Sequence, residues 1–231
     1  RFNWVTGVQT CALPILPPKF SFRADSGGTA TAITGDGYWL TATHVINQAP
    51  DSVQMLKLDE NRIPHLHPVR VVWKNESTTS KDPDLALLYC PVTSNHFTLP
   101  RPGQYSPNAE VLAVGYGAAN ISEIDSGMAG GKLLKRGPWT GTKGEARWIV
   151  YLTDAPLLPG DSGGALLTQE GHLLGINTSI HSSLEARFPQ ILYAQNWGAF
   201  TDYRARVTCP DPAWIRRLIK EDREAQKLAK N

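Results

Sequence analysis

The hydrophobic pattern along the chain is that of short β-strands rather than of helices. From Leu16 onward, apolar stretches of roughly four to eight residues recur, with clusters of Gly, Pro, Asn and Asp between them. Stretches such as 37–42 (GYWLTA) and 84–90 (DLALLYC) have the aliphatic and aromatic content of buried strands. The other predicted strands are 28–34, 52–58, 68–74, 110–116, 131–137, 146–153, 164–168, 171–178 and 190–194. The pattern predicts an all-β protein.

The connections between these strands carry their own signals. Gly35-Asp36-Gly37 and Gln169-Glu170-Gly171 predict tight hairpin turns. A proline-rich segment at 100–107 lies between two groups of strands, where a connection between two β-units is expected. The glycines at 127–131 lack the Lys-Ser/Thr of a phosphate-binding loop and predict a flexible loop.

One segment near the C-terminus has a helical pattern. Asp211 is a good N-cap, and Pro212 suits the first helical position, where its missing N–H costs nothing. An apolar stripe at i, i+1, i+4 and i+5 follows, formed by Trp214, Ile215, Leu218 and Ile219. The pattern predicts a helix over 211–225 with a polar second half.

Composition and charge exclude several classes of protein. Hydrophobic residues make 41% of the 231 residues, which excludes a disordered chain. The net charge of +2 shows no excess that would attract nucleic acid or anionic lipid, and no run of eighteen apolar residues could span a membrane. No cluster of Cys, His and acidic residues has metal-site spacing. We therefore expect no cofactor and no nucleic-acid partner.

Residues 5–15 (VTGVQTCALPI) match one translated frame of a common sequencing adaptor. The alternative is a genuine N-terminal segment, because its aperiodic, proline-containing sequence is compatible with both origins. We treat residues 1–15 as non-native and exclude them from the fold prediction. Cys11 then leaves the cysteine count, so Cys90 and Cys209 remain, either as a disulfide or as two unrelated buried thiols.

The sharpest chemical motif is the pentapeptide Gly160-Asp161-Ser162-Gly163-Gly164. Glycines on both sides of Ser162 permit a tight turn that presents the hydroxyl outward while nearby N–H groups point toward one spot. That arrangement suits a nucleophile with an oxyanion hole. An ordinary glycine-rich turn is the alternative, and the pentapeptide alone does not decide between them.

A serine nucleophile needs a base and a carboxylate that orients the base. His44 follows the apolar strand 37–42, where a histidine is either a hydrogen-bonded core residue or a functional one. Asp84 heads the strand 84–90, and a carboxylate there is costly to bury without a partner, whereas Asp82 is interpreted as a solvated turn residue. The other histidines lie in proline-punctuated loop-like segments or close after the serine: His65, His67, His96, His172 and His181.

In this order, the segments around His44, Asp84 and Ser162 resemble the three signature segments of the chymotrypsin-like (trypsin-fold) serine proteases. The detail is similar to the bacterial branch that includes the HtrA-type (DegP-like) proteases, and the likeness extends over roughly residues 20 to 200. Further matching stretches are 26–29, 36–40, 153–155, 159–160 and 173–178.

The resemblance implies two six-stranded antiparallel β-barrels with the active site between them. The expected units are 16–105 with His44 and Asp84, 106–205 with Ser162, and a helical segment at 206–231. It also implies a serine endopeptidase that acts on a polypeptide substrate, with His44 as base, Asp84 as its orienting partner, and the N–H groups of Gly160 and Ser162 as the oxyanion hole.

The resemblance also places a substrate pocket. Pro156 stands where trypsin-like relatives carry the acid that selects Lys or Arg, and Thr178, Ser179 and Ile180 line one wall, with Ile191 on the far side. None of these residues is charged, so we expect cleavage after small or medium apolar residues.

Two rival interpretations stand beside the protease. An α/β-hydrolase requires the order Ser, acid, His on alternating strands and helices, but the only acid between Ser162 and His181 is Glu170, and no helical patterns flank the strands. A trypsin-fold binding module without turnover is the second, although all three triad residues are present. The resemblance favours an exported protein.

Overall fold

The computed structural model describes residues 3–7, 26–47, 53–61, 63–76, 83–99, 105–116, 127–142, 145–158, 160–181 and 204–229. These residues form two β-sheets and two helices. The strands are β1 (Asn3–Gly7), β2 (Ser26–Ala32), β3 (Tyr38–Thr41), β4 (Val53–Leu58), β5 (Pro64–Pro68), β6 (Arg70–Lys74), β7 (Ala86–Tyr89), β8 (Glu110–Gly115), β9 (Gly127–Arg136), β10 (Thr140–Gly141), β11 (Arg147–Thr153), β12 (Ala165–Thr168), β13 (Leu173–His181) and β14 (Arg204–Pro210). The helices are α1 (Thr43–Ile46) and α2 (Pro212–Leu228).

The second sheet closes into a barrel. Its strand order is β10-β11-β14-β13-β12-β8-β9, and an additional pairing of β11 with β9 closes a ring of six strands. Every pairing in this ring is antiparallel, which confirms the barrel expected for this half of the chain. Side chains on the inner face form one buried cluster that includes Val111, Leu133, Ile149, Tyr151 and Leu166.

The first sheet contains six antiparallel strands and one further strand. The order is β5-β4-β1-β2-β3-β7-β6. Strand β1 lies between β2 and β4 and pairs in parallel with both, unlike the other strands of this sheet. It belongs to the segment 1–15 that we set aside. Because ladder hydrogen bonds use only main-chain groups, the pairing of β1 does not depend on whether the segment is native or adaptor-derived.

The structure differs from the predicted strands and loops at several places. His65 and His67 lie on β5, an edge strand where flanking prolines are tolerated, rather than in a loop. Residues 127–131, predicted as a flexible loop, form the first half of β9. A Cβ on Gly131 would lie 2.4 Å from the main-chain nitrogen of Ala155, so Gly131 permits close packing of β9 against the segment that follows β11. Strand β14 extends to Pro210, beyond the predicted unit boundary at 205, and the predicted strand 190–194 lies outside the described residues.

Helix α2 packs across both sheets. The Asp211 side chain accepts a hydrogen bond from the N–H of Ala213 at 2.9 Å, which is the predicted N-cap, and the helix continues to Leu228. Its buried residues Trp214, Ile215 and Ile219 join a cluster that contains side chains from both sheets, among them Tyr38, Leu40, Leu85, Leu87, Val114, Ala165 and Ile176. The helix therefore contributes to the core at the junction of the two units.

An ion-pair network fastens the second half of α2 to the first sheet. Asp222, whose side chain is only 9% exposed, accepts hydrogen bonds from both terminal nitrogens of Arg70, at 2.6 and 2.8 Å. The Tyr38 hydroxyl donates a third hydrogen bond to Asp222 at 2.8 Å. Arg223 bonds Asp36 at 2.6 Å. The hydrogen bonds from Arg70 lower the pKa of Asp222.

The two cysteines do not form a disulfide. Cys90 and Cys209 are both free and fully buried, and they belong to separate hydrophobic clusters of the two sheets. Of the two alternatives that the sequence leaves open, the structure contains the two unrelated thiols.

Within the described part of the chain, no helix has the length and apolar character needed to cross a membrane.

Candidate active site

His44 lies on the short helix α1, just beyond the end of β3. Strands β3 and β7 are antiparallel, with Thr41 opposite Ala86. The residues that follow β3 therefore meet the residues that precede β7. The Thr43 hydroxyl donates a hydrogen bond to the carbonyl of Leu85 at 2.6 Å, and this bond fixes the approach of the two segments. As a result, His44 and Asp84 lie side by side.

Asp84 holds His44 through both carboxylate oxygens. Oδ2 lies 2.5 Å from Nδ1 of the imidazole, and Oδ1 accepts a hydrogen bond from the His44 main-chain N–H at 3.0 Å. The His44 side chain is 50% exposed, so it is not a core histidine. An ionised carboxylate can only accept hydrogen bonds, so Nδ1 carries the proton and the lone pair is on Nε2. An imidazole held in this way can act as a base.

A second histidine–aspartate pair lies on the edge of the first sheet. His65 Nε2 lies 3.1 Å from Asp59 Oδ2, and the two side chains are as exposed as those of His44 and Asp84. Asp59 also accepts the main-chain N–H groups of Asn61 and Ile63, so it belongs to the turn between β4 and β5. Its contacts hold this turn together.

Ser162 lies on a tight turn whose shape depends on glycine. Gly160 and Gly163 have φ values of +103° and +89°, a region that side chains with a Cβ rarely adopt. Asp161 holds the turn: its N–H donates to the Leu158 carbonyl at 2.9 Å, and its Oδ2 accepts from the Leu158 N–H at 2.8 Å. Gly164 N–H donates to the Asp161 carbonyl at 2.9 Å.

The turn of Ser162 is bound to β2 of the first sheet. The main-chain N–H of Thr29 donates to the Ser162 carbonyl at 2.8 Å. The Thr29 and Thr31 hydroxyls donate to the carbonyls of Gly160 and Gly163, at 2.7 and 3.0 Å. The sequence pattern did not indicate a site role for these threonines. Polar residues at alternating positions of an otherwise small and apolar buried strand were the available signal.

Gly28 connects Ser162 with the helix that carries His44. A Cβ built on Gly28 would lie 2.9 Å from the Ser162 carbonyl oxygen and 2.6 Å from Cγ2 of Val45, the residue after His44. The main chain of Ser162 and the first turn of α1 thus pack on one glycine, without room for a side chain between them. This packing brings the serine turn close to the histidine–aspartate pair.

The expected pocket residues are placed only in part. Pro156 is half-buried in the segment between β11 and the serine turn. Thr178 is buried, and its hydroxyl donates to the Arg206 carbonyl at 3.1 Å, so that hydroxyl is used within the barrel. Ser179 is exposed. The side chain of Ile180 and the whole of Ile191 lie outside the described residues, as do Asp82 and the side chain of His181.

The fold and the site together define a class. The chain has two β-units, one of them a closed six-stranded barrel, which meet at a glycine-flanked serine and a histidine–aspartate pair. This is a trypsin-like fold. Comparison with protein families matches residues 28–176 to the Trypsin-like peptidase domain. The match covers more than half of the chain and contains all three site segments, so the chain belongs to this family.

The relatives are HtrA-type proteases. The chain is 30% identical over 162 residues to the "Serine protease Do-like HtrA" of Lactobacillus helveticus, a match that covers 68% of this chain and 36% of that protein. Two similar solved structures are the HtrA-type protease AlgW with decapeptide (22% identity, TM-score 0.56, 91% of this chain and 60% of that one) and its AlgWS227A form with decapeptide (24%, 0.54, 78% and 46%). These structural matches establish the shared fold. The chain spans about a third to three fifths of the length of these relatives.

Proposed function

We propose that this domain is a serine endopeptidase that hydrolyses peptide bonds through an acyl-enzyme. The observation that carries the proposal is the pairing of His44 with Asp84 at the end of β3, together with a glycine-flanked serine that packs against the same segment through Gly28. A membership in the Trypsin-like peptidase domain family supports it. In this proposal Ser162 is the nucleophile.

The reaction has two halves. The Ser162 Oγ attacks the substrate carbonyl carbon while His44 Nε2 takes the hydroxyl proton, and Asp84 stabilises the imidazolium that forms. His44 then gives this proton to the leaving amine as the C–N bond breaks, which leaves an acyl ester on Ser162. A water molecule attacks the ester with His44 again as base. The acid product leaves and the Ser162 hydroxyl is restored.

The negative charge on the carbonyl oxygen needs donors during both halves. The N–H groups of Gly160 and Ser162 are the candidates, because within the described residues no main-chain carbonyl accepts a hydrogen bond from either. One such donor contributes roughly 3–4 kcal/mol to transition-state stabilisation in enzymes of this kind. Thr29 and Thr31 hold the carbonyls of Gly160 and Gly163, so the turn is already ordered before substrate binds.

The proposed substrate preference rests on the expected pocket residues, none of which is charged. In this proposal Pro156 forms the base of the pocket and Ser179 part of one wall, so a Lys, Arg or acidic substrate side chain would lose its hydration without a partner. We propose cleavage after Val, Ala or Leu with modest selectivity, since one methylene changes discrimination by only about 1–3 kcal/mol. A peptide library profile in which cleavage falls mainly after Arg, Lys, Asp or Glu would contradict this pocket.

Fluorophosphonate labelling tests the nucleophile directly. The reagent should modify the unaltered protein at one serine, and Ser162→Ala should abolish both labelling and peptide hydrolysis. Ser106→Ala, at an exposed position outside the turn, is the matched control and should keep both. Labelling that persists in Ser162→Ala would show that another residue is the nucleophile. An unaltered protein that binds peptides but neither labels nor cleaves would support a binding module instead.

A further inference from the structure

Three threonines of the first sheet are buried against the serine turn of the second. Thr29, Thr31 and Thr41 are all fully inaccessible to solvent, although each carries a hydroxyl. Burying a hydroxyl is costly unless it forms hydrogen bonds, and each of these does. The Thr41 hydroxyl donates to the Thr29 carbonyl at 2.7 Å, and the Thr31 hydroxyl donates to the Gly163 carbonyl at 3.0 Å. The hydroxyls of Thr29 and Thr31 therefore bond the turn, and that of Thr41 bonds the main chain of Thr29.

Thr29 has the most contacts with the turn. Its Oγ1 donates to the Gly160 carbonyl at 2.7 Å and accepts from the Tyr116 N–H at 2.9 Å. Its main-chain N–H donates to the Ser162 carbonyl at 2.8 Å. One residue of the first sheet thus holds the carbonyls at both ends of the tripeptide Gly160–Ser162, and it connects this tripeptide to the residue that follows β8.

Holding these two carbonyls in place matters because glycine itself does not restrict the backbone of the turn. Gly160 has a φ of +103°, and glycine also populates negative φ values at little cost, so the peptide groups of the turn could rotate. A rotation at Gly160 or Ser162 would turn away the N–H groups that face the substrate oxyanion in the proposed mechanism. Donors stabilise an oxyanion only if they are held in place before the reaction.

We propose that Thr29 is a positioning residue: its hydroxyl orients the Gly160–Ser162 turn so that both main-chain N–H groups face the oxyanion. The inference rests on the proposed function for its catalytic consequence, and on the contacts above for the orientation itself. Thr29 touches neither the substrate nor the reacting atoms. It acts through Gly160 and Ser162, across the junction of the two sheets.

The inference concerns the hydroxyl of Thr29 rather than the size of its side chain. Two variants separate the effects of these two properties. Thr29→Val keeps the shape but puts a methyl group where oxygen now lies 2.7 Å from the Gly160 carbonyl, closer than the roughly 3.5 Å at which carbon contacts are favourable. It also leaves the Tyr116 N–H without its threonine acceptor. Thr29→Ser keeps the hydroxyl and should rescue the geometry.

Steady-state kinetics gives the first measurement. In Thr29→Val we expect kcat to fall about 10- to 100-fold, as for a reacting group displaced by a fraction of an ångström, with KM changed less than about threefold. Thr29→Ser should stay within about threefold of the unaltered enzyme. Thr168→Val is the matched control, because Thr168 is a buried threonine whose hydroxyl accepts from the His172 N–H in a hairpin of the second barrel. It should leave kcat unchanged.

Amide hydrogen exchange gives the second measurement and does not depend on turnover. Peptides that cover 158–164 should exchange at least about tenfold faster in Thr29→Val than in the unaltered protein, Thr29→Ser or Thr168→Val. If Thr29→Val does not fold, Thr29→Ala replaces it in both measurements. Equal kcat and equal exchange in Thr29→Val and Thr168→Val would overturn the inference. If exchange is faster in Thr29→Val but the unaltered protein never labels with fluorophosphonate, the orientation is supported and the proposed function is rejected.

Discussion

Asp84 contacts His44 through both oxygens of its carboxylate, one at the ring Nδ1 and the other at the main-chain N–H. The first contact selects the tautomer of the imidazole, and the second prevents the carboxylate from rotating away. The pairing of β3 with β7 and the hydrogen bond from Thr43 to Leu85 set the distance between the two segments. The geometry of this pair therefore depends on strand register as well as on the two side chains.

Asp84→Asn should reduce kcat by roughly 10³- to 10⁴-fold with little change in KM, because an amide cannot accept two hydrogen bonds from His44 at the same positions and favours the wrong tautomer. The control is Asp59→Asn, which alters the similarly exposed pair with His65 on the edge strand. We expect Asp59→Asn to keep full activity. Comparable losses in both variants would show that the effect is not specific to the His44 pair.

Gly28→Ala should lower both stability and activity. The added methyl group would lie 2.6 Å from Val45 Cγ2 and 2.9 Å from the Ser162 carbonyl oxygen, so the serine turn and α1 must move apart. Overpacking of this kind costs roughly 1–3 kcal/mol, and a displaced nucleophile reduces kcat by about tenfold or more. Chemical denaturation and steady-state kinetics measure the two effects.

Gly130→Ala is the matched control for Gly28→Ala. Both glycines lie in strands, but a Cβ at Gly130 would meet no atom within 4 Å. This change should be neutral or slightly stabilising, because alanine restricts the unfolded chain. A loss of activity in Gly130→Ala as large as that in Gly28→Ala would contradict the steric explanation.

Asp222→Asn should destabilise the protein by about 2–3 kcal/mol, since it weakens three hydrogen bonds that involve a charged group at the contact between α2 and the first sheet. Glu221→Gln, which affects an exposed pair with Arg217 at 3.7 Å, should change stability little. Denaturation curves at neutral pH compare the two variants. Equal midpoints would show that the network does not fasten the helix.

The ion pair of Asp222 with Arg70 also predicts a dependence of stability on pH. The pKa of Asp222 is lower in the folded protein than in the unfolded chain, chiefly because of the hydrogen bonds from Arg70. Its stabilisation is thus fully present above the unfolded pKa of about 3.9 and is lost as pH falls through the lower folded pKa. The difference between the unaltered protein and Asp222→Asn should be constant from pH 8 to 5 and should shrink below about pH 4. A difference that shrinks near pH 7 would point to another group.

The buried cysteines should be unreactive in the folded protein. Burial raises the pKa of Cys90 to about 11 and that of Cys209 to about 12, so the reactive thiolate is scarce at pH 8. In a Cys11→Ser background, a thiol reagent should modify neither residue within minutes under native conditions and both in denaturant. Rapid native modification of either thiol would contradict the described packing.

The sequence by itself determined the class of fold, the C-terminal helix and the candidate chemical groups. Alternation, turn residues and apolar run length are local properties, so they predicted β3, β8 and the capped start of α2 within a few residues. The motif Gly160–Gly164 and the residues His44 and Asp84 became candidates together because their segments, in this order, resemble the signature segments of the trypsin-fold serine proteases.

Only the tertiary structure decided what these groups contact. Thr29 bonds Gly160 over 131 positions of sequence, and Tyr38 bonds Asp222 over 184, so no local pattern could reveal either contact. Whether Cys90 and Cys209 form a disulfide likewise depended on which hydrophobic cluster each side chain enters. Hydrogen bonds across the junction of two sheets depend on how the sheets pack. A buried threonine in a strand looks the same in sequence whether its hydroxyl holds a neighbouring strand or the turn that carries Ser162.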